Sequence, residues 1–101
     1  MVVVIAAIEL REGKRSTFVD EFRKVVPLVR AEDGCIEYMP TLDVDTDIPV
    51  QVSDPNQVTI VERWESLDAL KAHLAAPHMT AYRERVSEMV VSLTVRVLAP
   101  A

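Results

Sequence analysis

The spacing of apolar residues changes along this chain, and each change predicts a new element. The opening run VVVIAAIEL has apolar residues at both odd and even positions, which is typical of a strand buried on both faces. Over residues 16–31 the period becomes helical, with Phe18 and Phe22 on one side and charged residues on the other. Pro27 lies inside that pattern, and because proline removes a helical hydrogen bond we expect a kink or a helix in two pieces there.

Two further strands follow, separated by a long loop. Gly34 ends the first helix, and EDGCIEYM leads into a second strand. Residues 40–57 hold three prolines and four aspartates, a composition that predicts a loop rather than a central strand. The segment QVTIVERWE then alternates, so that Glu62 and Trp64 share one face of a third strand with Val58 and Ile60.

The last third of the chain predicts two short helices and a final strand. Ser66 can cap a helix whose apolar stripe is Leu67, Leu70 and Leu74. That helix ends before Pro77, which suits the first position of the next helix. VVSLTVRVL closes the chain as a strand.

The element order is therefore βαββαβ, within one domain of residues 1–101. Right-handed crossovers turn this order into an α+β, ferredoxin-like fold, a four-stranded antiparallel sheet with its helices on one face. The strands carry apolar residues on both faces, so the face without helices needs a cover. An identical sheet is the simplest cover, and we predict a homodimer of the dimeric α+β barrel type.

Composition and net charge limit the classes of molecule that this protein is expected to bind. The net charge is −5, which disfavours nucleic acid because phosphate contacts need clustered Lys and Arg. The first apolar run is too short to cross a membrane and lacks the basic start of a signal peptide. With only one cysteine, Cys35, no disulfide can form within the chain. We expect a cytoplasmic protein with a small-molecule partner.

The candidate metal ligands do not form a recognisable site. His73 and His78 are five residues apart, roughly 140° around a helix, and therefore do not share a face. Four aspartates in residues 43–54 follow an EF-hand-like count, but Ile48 stands where the calcium loop needs glycine. Cys35 has no local basic activator. We expect no metal and no cofactor.

His73 is the strongest candidate for chemistry. It lies at the edge of the apolar stripe of its helix, and Glu62, Trp64 and Tyr82 are predicted to line the same pocket between helices and sheet. A carboxylate beside an imidazole raises its pKa and burial lowers it, so the pair can form a general base. A lone histidine on a half-apolar face is also compatible with an ordinary place in the core.

The chain resembles the antibiotic biosynthesis monooxygenase (ABM) domain family. The resemblance rests on EDGCIEY, on VTIVERWESLDALKAHLAAPHM and on the terminal strand, and covers nearly the whole chain, although the loop of residues 40–57 is longer than in many members. It implies a ferredoxin-like dimer. Similar proteins include cofactor-free monooxygenases of quinols and aromatic polyketides, haem-degrading enzymes and a sugar-phosphate isomerase. Haem-degrading members carry an asparagine where this chain has Ala6 and Ala7.

The resemblance favours a cofactor-independent monooxygenase that oxidises a small electron-rich aromatic molecule with dioxygen. On that interpretation His73, oriented by Glu62, is the catalytic base. The residues that line or rim the substrate site are then Trp64, Tyr82, Tyr38 and His78. Two alternatives stay open, a non-catalytic dimeric module that binds a hydrophobic ligand and a sugar-phosphate isomerase.

Overall fold

The computed structural model describes residues 1–101 and contains four strands and three helices. The elements in chain order are β1 (Val2–Leu10), α1 (Arg15–Arg30), β2 (Cys35–Thr41), β3 (Gln57–Trp64), α2 (Leu67–Leu74), α3 (Pro77–Val86) and β4 (Val90–Leu98). None of the helices has the length and apolar character needed to cross a membrane.

The strands form one antiparallel sheet in the order β2-β3-β1-β4. This is the ferredoxin-like topology, and the predicted α+β fold is confirmed. The register lines up Tyr38, Glu62, Val4 and Val97 in one row across all four strands. Because successive side chains of a strand alternate between faces, this row and its neighbours two residues away face the helices.

The core lies between that face and the helices. It contains seventeen buried hydrophobic residues. Phe18, Phe22 and Val29 of α1 belong to it and are at most 1% exposed. On α2 the inward residues are Leu70 and His73, three positions apart. The predicted stripe is therefore wrong at Leu67, which is about half exposed, whereas Leu74 is half exposed but borders a cavity between the helices and the sheet.

Helix α1 continues through Pro27, so the expectation of a two-piece helix is wrong. Pro27 is in the last turn of α1, and both Pro27 and Arg23 are exposed. Because Pro27 has no amide hydrogen, the carbonyl of Arg23, four residues earlier, lacks its helical hydrogen bond. Water can replace that bond because Arg23 is exposed.

The loop between β2 and β3 spans residues 42–56, slightly less than predicted. Pro40 and Thr41 still pair with β3, which is possible because β2 is an edge strand of the sheet. Asp43 Oδ2 accepts from the Asp54 amide at 2.9 Å, and Asp54 Oδ1 accepts from the Asn56 amide at 2.8 Å. These aspartates therefore organise the loop backbone.

The opposite face of the sheet has no helix over it. Val3, Ile5 and Val61 point to this side and are only partly buried. Arg63 and Glu37 form a salt bridge there at 3.3 Å. A face of this mixed composition is compatible with the predicted homodimer, which stays a prediction.

Candidate active site

A cavity of about 560 Å³ lies between the helices and the sheet. Its volume falls within the range of about 300–1,000 Å³ that is usual for small-molecule sites. Fifteen of its nineteen lining residues are hydrophobic, and the other four are Glu62, His73, Arg83 and Ser87. An apolar chamber with a few polar groups is the form expected of a site for a small organic molecule.

The cavity opens along β4. Leu93, Val95 and Val97 line it and point toward the helix side, yet each is about half exposed. Because these apolar residues of the outer strand β4 stay partly exposed, the mouth of the cavity is apolar. Arg83 is the one cation in the lining, and its Nη2 donates to the Leu74 carbonyl at 2.9 Å.

The N-terminal cap of α2 helps to orient His73 toward the cavity. Ser66 caps the helix by accepting from the Ala69 amide at 3.1 Å, which fixes the rotation of the two turns that follow. His73 is 1% exposed. Its ring lies 4.6 Å from the Trp64 ring and 5.3 Å from the Tyr38 ring, measured between centroids.

The carboxylate bonded to His73 is that of Glu32, not that of Glu62 as predicted. His73 Nδ1 lies 2.9 Å from Glu32 Oε2, and His78 Nε2 lies 2.8 Å from the same oxygen. Sequence analysis missed Glu32 because it lies in the turn before β2, 41 residues from His73. The antiparallel order does place that turn beside the end of β3, where the Gly34 carbonyl accepts from the Glu65 amide at 2.8 Å.

Glu62 is bonded to Trp64 instead. Trp64 Nε1 donates to Glu62 Oε1 at 2.9 Å. Glu62 is 6% exposed, and burial raises the pKa of its carboxyl to about 7, while the bond from Trp64 opposes that rise and the charge of Glu32 adds to it. A carboxyl in this state is partly protonated at neutral pH.

Four polar side-chain atoms of residues that line the cavity have no hydrogen-bond partner in the protein. Every side-chain nitrogen or oxygen that is fully buried has a hydrogen-bond partner. The carboxylate oxygen of Glu62 that is not bonded to Trp64, the ring nitrogen of His73 that is not bonded to Glu32, and the hydroxyls of Tyr38 and Tyr82 have no such partner. These atoms are therefore accessible, and all four residues line the cavity. They are Glu62 Oε2, His73 Nε2, Tyr38 Oη and Tyr82 Oη.

The two ionisable groups on the wall are shifted in opposite directions. Burial lowers the pKa of His73 below its usual 6.5, although the hydrogen bond and the charge of Glu32 oppose this. Burial raises the pKa of Glu62. At neutral pH the imidazole is therefore a neutral base, and the carboxyl is partly protonated and can donate that proton.

The two tyrosines supply neutral hydroxyl groups. Burial is the largest cause that raises the pKa of Tyr38 and of Tyr82 above the usual value of 10, and the charge of Glu62 adds to both shifts. Phe22 fixes their rings, with centroids 5.4 Å from each. Both hydroxyls stay protonated near neutrality and can donate to an oxygen in the cavity.

Two residues predicted at the substrate site do not line the cavity. Trp64 is 0% exposed and lies behind Glu62 and His73, because its indole fills the space between β3 and α2. His78 is also outside the lining, with its side chain 23% exposed and directed at Glu32. Neither residue therefore forms the predicted wall or rim.

Gly34 brings the turn of Glu32 close to α2. Its φ is +83°, and a Cβ at this position would lie 2.7 Å from the Ala69 Cβ. Only glycine fits this conformation and this contact. The next residue, Cys35, is half-buried, and burial raises the pKa of its thiol, which disfavours the nucleophilic thiolate. No group of three or more His, Cys, Asp or Glu side chains is arranged to hold a metal ion.

A family model and a sequence relative both point to the same protein family. The model of the family described as antibiotic biosynthesis monooxygenase matches residues 1–85. A relative named probable quinol monooxygenase YgiN, from Escherichia coli, is 40% identical over 102 residues, which cover 99% of this chain and 98% of that protein.

Solved structures agree with the fold. That of Rv0793 from Mycobacterium tuberculosis is 32% identical, superposes with a TM-score of 0.81, and covers 99% of this chain and 94% of that one. PA3566 from Pseudomonas aeruginosa superposes with a TM-score of 0.83 at 22% identity, over 99% of this chain and 93% of that one. The second likeness concerns the fold alone.

Proposed function

Because this chain belongs to the antibiotic biosynthesis monooxygenase family, we propose that it oxidises a small electron-rich aromatic substrate, of the quinol or phenol class, with dioxygen. The observation that carries the proposal is the wall of the cavity, where a buried imidazole and a protonatable carboxyl face a largely apolar chamber. The relative named for quinol oxidation is similar over the full length.

The substrate itself supplies the electrons in this proposal. Dioxygen is a triplet and reacts slowly with closed-shell molecules, but the anion of a quinol can give up one electron. A base that removes the hydroxyl proton in a dry cavity therefore starts the reaction. His73 is that base, since its Nε2 faces the cavity and its lowered pKa keeps it neutral.

The later steps balance with one dioxygen for each substrate. The anion passes one electron to dioxygen, and the resulting organic radical and superoxide combine to form a C–O bond. When the O–O bond breaks, one oxygen remains on the ring as a carbonyl. The other oxygen first takes a proton from Glu62, and as the O–O bond breaks the ring C–H bond at the attacked carbon also breaks and returns a proton to Glu62. The hydroxide that leaves takes the proton held by His73 and becomes water. The substrate loses two hydrogens and gains one oxygen, and dioxygen is reduced to that product oxygen and water.

The two tyrosines orient the substrate. The carbonyl that forms at the former hydroxyl accepts hydrogen bonds better than the hydroxyl does, so donors aimed at it favour the oxidised state. Tyr38 and Tyr82 provide such donors from β2 and α3. The apolar remainder of the wall excludes water from the radical pair.

The alternatives make different use of the same cavity. A sugar-phosphate isomerase needs a cluster of cations for its anionic substrate, and the lining provides Arg83 alone, which favours a neutral aromatic substrate. A binding module would hold the aromatic molecule without turning it over.

Oxygen uptake with a panel of quinols tests the function. We expect the wild type to consume dioxygen and His73→Asn to lose most of this activity while its circular dichroism is unchanged. Leu28→Ala, an exposed site on α1, is the control and should keep full uptake. Binding of quinols without uptake would favour the binding module, and equal uptake by His73→Asn would remove the imidazole from the mechanism.

A homodimer is part of the proposal. The uncovered face of the sheet presents Val3, Ile5 and Val61 beside the Arg63–Glu37 pair. A second sheet placed on this face would bury the apolar residues and leave both cavities on the outer, helical sides.

A further inference from the structure

We propose that Glu32 is a positioning residue for His73, whose carboxylate holds the imidazole with its proton on Nδ1 and its lone pair on Nε2, facing the cavity. This inference deepens the proposed function and rests on it for its catalytic meaning. Its structural content, the tautomer of His73, can be measured without any substrate.

The geometry around Glu32 Oε2 fixes the donors. A carboxylate oxygen only accepts hydrogen bonds, and this one receives His73 Nδ1 at 2.9 Å and His78 Nε2 at 2.8 Å. Each of these ring nitrogens must therefore carry a proton. A neutral imidazole has one N–H, so a proton on His73 Nδ1 leaves its Nε2 as the acceptor.

The acceptor nitrogen is the one that the reaction needs. His73 lines the cavity, its Nδ1 is bonded to Glu32, and its Nε2 has no partner in the protein and is not fully buried. The other tautomer would present an N–H to a substrate hydroxyl and could not take its proton. Glu32 thus selects the form of His73 that works as a base, and its charge stabilises the imidazolium once the proton has been taken.

Glu32 is itself held from three sides. Its amide donates to the Val29 carbonyl at 2.9 Å, and its carbonyl accepts from the Cys35 amide at 3.2 Å. His78 provides the third support through the side chain. His78 is partly open to solvent and His73 is not, so the three groups connect the cavity with the outer surface.

Other charged groups near His73 do not offer this contact. Arg83 and His78 act on it through charge alone and lower its pKa. Glu62, on the neighbouring strand β3, is bonded to Trp64. Tyr38 and Trp64 contact the His73 ring through their own rings. Glu32 is the one carboxylate bonded to the ring.

Nitrogen-15 NMR of the two histidines tests the assignment, and the chain contains only these two. At neutral pH we expect His73 of the full-length wild type to carry its proton on Nδ1. In Glu32→Ala the Nε2–H form should become populated. Glu32→Gln keeps an acceptor oxygen without the charge, so it should retain the Nδ1–H form with a His73 pKa lower than in the wild type.

The control is Asp33→Asn, an exposed acid in the same turn with no side-chain bond to either histidine. It should leave the tautomer unchanged. A wild-type His73 protonated on Nε2, or a tautomer that does not respond to Glu32→Ala, would overturn the inference.

Turnover gives the second measurement. With a quinol that the wild type oxidises, Glu32→Ala should lower kcat on the order of tenfold to a hundredfold, since a misplaced base loses much of its contribution, with little change in KM. The kcat of Glu32→Gln should lie between those of the wild type and Glu32→Ala. The acidic limb of its pH profile should move to lower pH. Equal kcat values in all three proteins would also overturn the inference. If no quinol is oxidised by the wild type, the proposed function fails, and the NMR result still decides the role of Glu32.

Discussion

Trp64 donates its indole Nε1–H to Glu62 Oε1 at 2.9 Å, although the two residues lie only two positions apart on the same face of β3. The same indole ring lies 4.6 Å from the ring of His73. One fully buried side chain therefore contacts both the acid and the base of the proposed mechanism from behind, without lining the cavity. In the proposed mechanism its role would be to position these two groups and to lower the pKa of Glu62.

Replacing Trp64 with Phe should change the pH dependence of turnover. The indole bond lowers the pKa of Glu62, so its loss raises that pKa further above about 7. Since Glu62 is the proton donor of the proposed mechanism, the basic limb of the kcat profile should move to higher pH. An oxygen electrode with a quinol, read from mildly acidic to strongly basic pH, measures this. A basic limb that stays in place would show that it belongs to another group.

Replacing Glu62 with Gln should change how stability depends on pH. Burial raises the pKa of Glu62 from 4.5 to about 7, so the folded state holds this proton more tightly than the unfolded state does. The stability that the proton provides is fully present below pH 4.5 and is lost as pH rises through 7. At about 1.4 kcal/mol for each unit of pKa shift, the free energy of unfolding should fall by about 3 kcal/mol over this range.

Urea unfolding of both proteins, from below pH 4.5 to above pH 7, measures this linkage. The amide introduced by Glu62→Gln can still accept from Trp64 but does not titrate. This variant should therefore lack most of the fall in unfolding free energy between pH 4.5 and pH 7. Parallel curves for the two proteins would contradict the raised pKa.

Replacing Gly34 with Ala should destabilise the fold through two separable effects. The positive φ costs about 1 kcal/mol for alanine, and the 2.7 Å approach to the Ala69 Cβ adds on the order of 1 kcal/mol of overpacking. Gly13 has a φ of +77° with nothing nearby, so Gly13→Ala is the control for the first effect alone.

The double variant Gly34→Ala/Ala69→Gly separates the two effects further. It removes the clash but keeps the strained φ, and it adds a helical glycine that costs about 1 kcal/mol. Measured against Ala69→Gly alone, Gly34→Ala should then cost about as much as Gly13→Ala. An equally large cost in both backgrounds, seen in denaturant unfolding, would mean that Ala69 is not the neighbour that matters.

Replacing Ile5 with Glu should abolish the proposed homodimer. Ile5 is a partly buried residue of β1 on the uncovered face of the sheet, and a charge there cannot be buried against a second sheet without a partner. Leu28→Glu places the same charge on an exposed site of α1, on the opposite side. In sedimentation velocity the wild type and Leu28→Glu should be dimers and Ile5→Glu a monomer. A monomeric wild type would refute the dimer itself.

The strands and helices follow from the sequence because apolar periodicity records which face each element buries. The alternation of β3 correctly places Glu62 and Trp64 on the helix side, and Ser66 and Pro77 correctly mark where α2 and α3 begin. The expectation of a helix in two pieces at Pro27 is wrong because the cost of proline depends on the solvation of one carbonyl in the last turns of α1.

The positions of individual side chains in the site are harder to predict from the sequence than the elements that carry them. Alternation shows that Trp64 points inward, but it does not show whether the ring meets the cavity or fills the space behind it. Glu32 escapes prediction because its bond to His73 joins a turn to a helix 41 residues away, and no local pattern encodes a contact of that kind. Such contacts depend on the register of the whole sheet.

Isotope labelling follows both atoms of dioxygen and so tests whether this protein is a monooxygenase of quinols. Reaction of a quinol with ¹⁸O₂ and the purified protein in unlabelled water, followed by mass spectrometry, shows where the oxygen atoms go. We expect one ¹⁸O atom in the oxidised product for each dioxygen consumed, with the second in water, and a large loss of labelled product in His73→Asn. A product that carries no ¹⁸O, with hydrogen peroxide accumulating in its place, would contradict it.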